Sequence, residues 1–243
     1  MYFTEYGSRD LPTVVLLHGA FFVDSFGRQY PLSSRYHLVV PHIPGFGKAA
    51  DETFETDKAL GELKELISQF DAPVYLVGFS LGAQLAVRLI ADAPEMVKKA
   101  IVISPLLMNK DRASGPLIEQ NLKMLRSMKN KLNCKMIGLM NGMPKRSRAE
   151  FVESMQRVSE ETVRNCVDNG ISFESAAGFA GCGVPVLALA GEKEPEDIKN
   201  SVKQMSELNP LCTCEIWDKA AHNIPPVFAK RFNETMLSYF RNE

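Results

Sequence analysis

One serine of this chain sits in a pentapeptide built to expose it. Gly78-Phe79-Ser80-Leu81-Gly82 follows the apolar run Pro73 to Val77 and opens into the Ala- and Leu-rich stretch Leu81 to Ile90. A strand that turns straight into a helix forces its central residue into a strained conformation, and the neighbours must be small to avoid a clash. The hydroxyl is then held clear of the sheet at a helix N-terminus, with the Leu81 N–H turned toward a developing oxyanion. Such a hydroxyl becomes a nucleophile when an imidazole takes its proton. The chain has histidines at 18, 37, 42 and 222. The order serine, acid, histidine belongs to this elbow, and only His222, in Ala221-His222-Asn223, satisfies it. A second oxyanion donor has to be another backbone amide. His18-Gly19-Ala20 ends the run Val14 to Leu17, which makes Ala20 or Phe21 the candidate, with Gly19 letting the chain pass close to the serine. His18 itself reads as structural. The chemistry implied is acyl transfer at a carbonyl; the plainer alternatives are a serine-bearing turn and a surface-loop histidine.

These groups need elements to hold them. Six short apolar runs, Val14–Leu17, Tyr36–Val40, Pro73–Gly78, Ala100–Ile103, Val184–Ala190 and Thr213–Trp217, have the look of strands covered on both faces. Amphipathic helical stretches lie between or after them at 57–70, 81–90, 198–208 and 227–240. Alternation of this kind predicts an α/β fold with a mostly parallel sheet and helices on both faces. From Pro105 to about Gly181 the alternation stops and only helical patterns remain, among them the helix start Ser159-Glu160-Glu161-Thr162. The expected organisation is a core over 1–104, a helical lid over 105–181 at the rim of the strands, and the rest of the core over 182–243.

With these residues in place, the chain resembles the α/β-hydrolase superfamily, in its small lid-bearing serine esterase and C–C hydrolase branch. The resemblance runs from about Phe3 to Phe240. It rests on His18-Gly19, Pro44-Gly45-Phe46-Gly47, the elbow at Ser80, Val184-Pro185-Val186-Leu187 and His222. In such proteins the Pro-Gly-x-Gly turn follows the fourth strand and shapes the site. Two positions depart from the pattern: His42 stands where Asp is usual, and Lys48 where Ser is usual. The N-terminus leaves room for barely one strand before His18, where many members have two. The resemblance also implies an acid in the loop after Val186–Ala190. That loop reads Gly191-Glu192-Lys193-Glu194-Pro195. Glu194 takes the acid's place, to orient His222 and stabilise its imidazolium; Glu192 and Asp197 are the alternatives, and an acidic helix start explains part of the charge.

The stretch 121–148 holds eight Lys or Arg and no Asp or Glu, with Met124, Met128, Met136, Met140 and Met143 among them. One reading places the methionines inward over an apolar pocket and the bases in water. A second turns one or two bases inward onto a substrate carboxylate or phosphate. A third lays the segment on an anionic membrane surface. Phe22, Phe46, Phe79, Met124, Met128 and Met140 are the candidate pocket residues.

Composition narrows the classes. With 28 Lys and Arg against 29 Asp and Glu the formal charge is -1, and no global basic excess points to nucleic acid. No run reaches the roughly 18 apolar residues of a membrane span, and the first residues lack a signal peptide's apolar core. The cysteines at 134, 166, 182, 212 and 214 suggest reduced thiols and a cytoplasmic protein. No metal and no organic cofactor is implied. The expectation is a serine carboxylesterase acting on a small, mainly apolar ester through an acyl-enzyme. A C–C hydrolase or lyase-type synthase of the same fold, or a non-catalytic receptor using the same pocket, stays open, and the oligomeric state is not read.

Overall fold

Seven strands form a single sheet in the order β1-β3-β2-β4-β5-β6-β7. They are β1 (Phe3–Tyr6), β2 (Thr13–Leu17), β3 (His37–Pro41), β4 (Val74–Phe79), β5 (Val97–Ile103), β6 (Val186–Gly191) and β7 (Cys212–Trp217). The structure, a computed structural model, describes residues 1–70, 73–107, 114–141, 143 and 145–241. All neighbouring strands run parallel except β1, which pairs antiparallel with β3 from Phe3–Pro41 to Tyr6–Leu38. Two strands therefore precede His18 rather than barely one. A four-residue strand and a tight turn at Gly7, whose φ is +90°, fit within twelve residues because glycine accepts that conformation without strain. The Pro44–Gly47 turn follows the third strand of this chain rather than the fourth.

Continuous apolar runs form β2 to β6 because both faces are covered there, whereas the edge strands β1 and β7 are half-buried or partly exposed. Val15, Leu17, Val39, Leu76, Val102 and Ala188 face one layer, made by α1 (Thr56–Ile67), α2 (Leu81–Asp92) and α7 (Glu196–Leu208). Val14, Leu16, Leu38, Val77, Ile103 and Leu189 face the other, where Trp217 packs with Phe232, Met236 and Phe240 of α9 (Ala229–Arg241) and with Phe26. Alternate side chains of one strand thus enter opposite cores.

Between β5 and β6 the described residues hold helices only: α3 (Gly115–Lys129), α4 (Lys131–Met140), α5 (Lys145–Arg157), α6 (Glu160–Asp168) and a short 3-10 turn at Ala177–Gly181. Ser159 caps α6 by accepting the Thr162 N–H at 3.0 Å, as its sequence announces. The insertion rests on loops that leave the C-terminal ends of two strands, β2 and β3. Thr162 accepts the Phe54 N–H, Arg157 pairs with Asp51 and donates to the Gly47 carbonyl, and Phe151 stacks on Phe22 at 5.1 Å. A four-residue helix, α8 (Ile224–Val227), follows the His222 loop.

Candidate active site

Ser80 closes β4 and caps α2 with φ 53° and ψ −113°, a region a non-glycine residue occupies only when its surroundings force it. Three close packings do so. A Cβ on Gly78 would lie 2.4 Å from the Gly82 carbonyl oxygen, and one on Gly82 would lie 2.1 Å from that of Leu17. One on Gly19 would meet the Phe79 ring at 3.0 Å and the Ser80 Cβ at 3.4 Å. The glycines let β2, its following loop and α2 converge on the serine.

A continuous line of hydrogen bonds runs from that serine. His222 Nε2 lies 3.2 Å from Ser80 Oγ, and His222 Nδ1 lies 2.7 Å from Glu194 Oε1. The other carboxylate oxygen of Glu194 accepts from the Gly191 N–H at 2.6 Å and the Ser104 hydroxyl at 2.8 Å. Glu194 is buried, with its carboxylate sealed from solvent, while His222 is partly open. The loops are tied together: Lys193 N–H donates to Ala220 O and Glu192 N–H to Trp217 O. Glu192 itself points away, its carboxylate accepting the Lys219 N–H at 2.8 Å on the surface. Asp197 is the second residue of α7. Of Glu192, Glu194 and Asp197, Glu194 is the one hydrogen-bonded to His222.

Leu81 opens α2, so its N–H is one of the helix-start amides without an intrahelical acceptor. Opposite it runs the loop 18–22, bent at Phe21 with φ 69°. His18 braces this loop. Its Nδ1–H donates to Gly19 O at 2.7 Å, and its Nε2 accepts the Ile43 N–H at 3.1 Å. Burial holds this imidazole neutral, with its pKa lowered to about 3. His42, at the unusual position, has an analogous duty: Nδ1 accepts the Lys48 N–H at 2.9 Å, and Nε2 faces Thr4 Oγ1 at 3.4 Å. Burial first, and the Lys48 charge second, lower its pKa to about 4. A neutral imidazole thus supplies the acceptor that a carboxylate would supply there.

The candidate pocket residues divide. Phe79 places its ring 4.9 Å from that of His222, and Phe22 is half-buried against Phe151. Phe46 is fully buried against His18 and Phe21, and Met128 is fully buried in the core; both are packing residues. Met124, Met136 and Met140 face outward, Met140 with 83 % of its surface exposed, which corrects the inward reading for these three; Met128 and Met143 are buried, and Met143 lines a cavity. The bury-or-expose choice follows α3 and α4, whose inner faces are filled by Leu122, Leu125, Met128 and Cys134. This cavity, of about 610 Å³, lies between Phe21, Tyr6, Tyr30, His42 and α5. None of Ser80, Glu194 and His222 lines it. Ser104 was not anticipated; its only signal is a polar residue directly after an apolar strand.

The chain belongs to the alpha/beta hydrolase family, whose model matches residues 14–235. Among curated relatives, it is 30% identical over 128 residues to the magnesium-chelatase 30 kDa subunit of Rhodobacter capsulatus, covering 49% of this chain and 44% of that protein. It is 32% identical over 111 residues to pyrrolizixenacetamide deacetylase of Xenorhabdus hominickii, covering 41% of this chain and 40% of the relative. The matches thus span less than half the length of either. Among solved structures, an esterase from Exiguobacterium antarcticum superposes with a TM-score of 0.74 at 20% identity, over 99% of this chain and 95% of that one. A carboxylesterase structure from Nitrososphaera gargenis gives 0.73 at 14%, over 99% and 93%. A bromoperoxidase from Bacillus anthracis gives 0.76 at 20%, over 99% and 95%. At such identities the likeness is one of fold.

Proposed function

We propose that this protein is a serine hydrolase that cleaves a small carboxylic ester through an acyl-enzyme. The observation that carries the reading is the unbroken line Ser80 Oγ, His222 Nε2, His222 Nδ1, Glu194 Oε1, with spacings of 3.2 and 2.7 Å. Ser80 Oγ attacks the ester carbonyl as its proton passes to His222 Nε2. Glu194 holds the ring by Nδ1–H and stabilises the imidazolium. The carbonyl oxygen becomes an oxyanion beside the Leu81 amide and that of Ala20 or Phe21. His222 then protonates the departing alkoxide, and a water activated by the same imidazole releases the acid. The helices between β5 and β6 serve as the lid, and Phe79 and Phe22 border the acyl site. The esterase folds and a relative named as a deacetylase support hydrolytic acyl transfer.

Labelling with a fluorophosphonate, read by intact mass and peptide mapping, tests the reading. One adduct per chain on Ser80 is expected, slowed at least about a hundredfold in His222→Ala. Absence of adduct in folded protein, with a probe small enough for narrow sites, overturns it in favour of a ligand receptor.

A further inference from the structure

The helix α4 presents an apolar face to solvent. Leu132, Met136, Leu139 and Met140 are 68%, 55%, 61% and 83% exposed. At 3.6 residues per turn these four fall within about 100° of arc, opposite the buried Cys134 and Gly138. Isolated exposed apolar residues are ordinary, but four on one ten-residue helix form a patch. Charge surrounds it on one side: Lys131 and Lys135 flank the stripe and are exposed, as are Lys123 and Lys145 on the adjoining helices; the Arg146 side chain lies outside the described residues. Residues 121–148 carry eight bases and no acid in a chain of net charge -1. Two of these bases are used within the insertion, Arg126 paired with Glu160 and Lys129 donating to the Gln156 and Val158 carbonyls, but Lys131 and Lys145 do not serve their helices. None of α3, α4 and α5 has an acidic residue in its first turn, and Lys131 and Lys145 stand at helix N-termini, where positive charge is disfavoured.

We infer that the outer face of α4 is a docking surface for an anionic lipid bilayer. An apolar stripe with lysines beside it is the pattern of a helix lying in the membrane interface, apolar side chains among the acyl chains and ammonium groups at the phosphates. A two-fold dimer through the same face would bring two acid-free basic stretches together, and that repulsion disfavours a second copy as the occupant. The surface adjoins the candidate site. Asn141, which ends α4, accepts a hydrogen bond from Asn223 at 3.2 Å, and Asn223 follows His222. Taken with the proposed esterase activity, this geometry presents the site to esters dissolved in the bilayer.

Vesicle co-sedimentation tests the docking without any turnover. Wild type is compared on phosphatidylcholine vesicles and on vesicles with 30 % phosphatidylglycerol, in low and high salt, alongside L132S/M136S/L139S, K131Q/K135Q and S80A. The expectation is binding to anionic vesicles at least about tenfold above neutral ones, weakened by salt. The lysine pair should account for about fivefold per residue, and the serine triple variant should abolish binding while keeping the wild-type melting temperature. S80A should bind as wild type does, so that loss of the hydrolase reading leaves this one standing. Absence of anionic-vesicle binding, or binding unaltered in both surface variants, overturns the inference. So does a monomer–dimer equilibrium in sedimentation velocity that the triple variant removes, which would assign the face to a second copy.

Discussion

Ser80 and His222 are linked by one hydrogen bond and His222 and Glu194 by another, and each link predicts a different loss. Ser80→Ala should lower kcat/KM for a short-chain ester by about 10⁴-fold or more. Glu194→Gln, which keeps the shape and removes the charge, should lower kcat by about 10²- to 10⁴-fold. Glu192→Gln should stay within about twofold of wild type, because its carboxylate caps a surface turn. The Ser104 hydroxyl donates to the Glu194 oxygen that does not touch His222; Ser104→Ala should cost about tenfold in kcat with KM unchanged, the worth of one hydrogen bond to a charged group. Steady-state kinetics on the four variants separates these outcomes. Ser80 and His222 were legible because an elbow needs small neighbours on both sides and the order of residues leaves one histidine. Ser104 was not, because a serine after a strand has many uses, and only the fold brings β5 beside the Glu194 loop.

At the scale of elements, glycines decide how closely β2, β4 and α2 approach. Gly82→Ala places a methyl 2.1 Å from a backbone oxygen and should destabilise the fold by about 3 kcal/mol or more. Gly61, mid-way in α1 with nothing within 4 Å of a built Cβ, makes the contrast: Gly61→Ala should stabilise by about 0.5–1 kcal/mol. Urea titrations of both variants check the pair. Five strands and the core helices could be read from apolar runs and 3.6-residue periodicity, since both faces of the sheet are covered there, and β7, at the sheet edge, from a shorter and partly exposed segment. β1 could not, because its residues are all only half-buried and give no run. The direction of the methionines was missed for a related reason. Met124 and Met128 are four apart, yet they straddle the edge of the buried face of α3, so one is in the core and the other in water.

For the whole molecule, two of the buried histidines make the fold sensitive to acid. His18 and His42 have pKa values lowered to about 3 and about 4, against 6.5 in an unfolded chain. Below pH 6.5 the unfolded state takes up protons that the native state refuses. Their contribution is therefore intact above pH 6.5 and declines as pH falls, down to about 4 for His42 and about 3 for His18. Unfolding free energies between pH 7 and 4 should drop, and His42→Asn, whose side-chain oxygen can still accept the Lys48 N–H, should make the slope shallower by about 1.4 kcal/mol per pH unit. The place of the helical insertion has a kinetic consequence. β5 pairs with β6 from Ala100–Val186 to Ile103–Leu189, with about 80 residues between the strands. Closing so long a loop is entropically costly while it is slack, and non-local strand pairing is slow. If the helices collapse first, they shorten the gap that β6 must cross to find β5. The speed at which the second half of the sheet zips onto the first is then set by the insertion, and weakening the packing among α3, α5 and α6 should slow refolding more than it hastens unfolding.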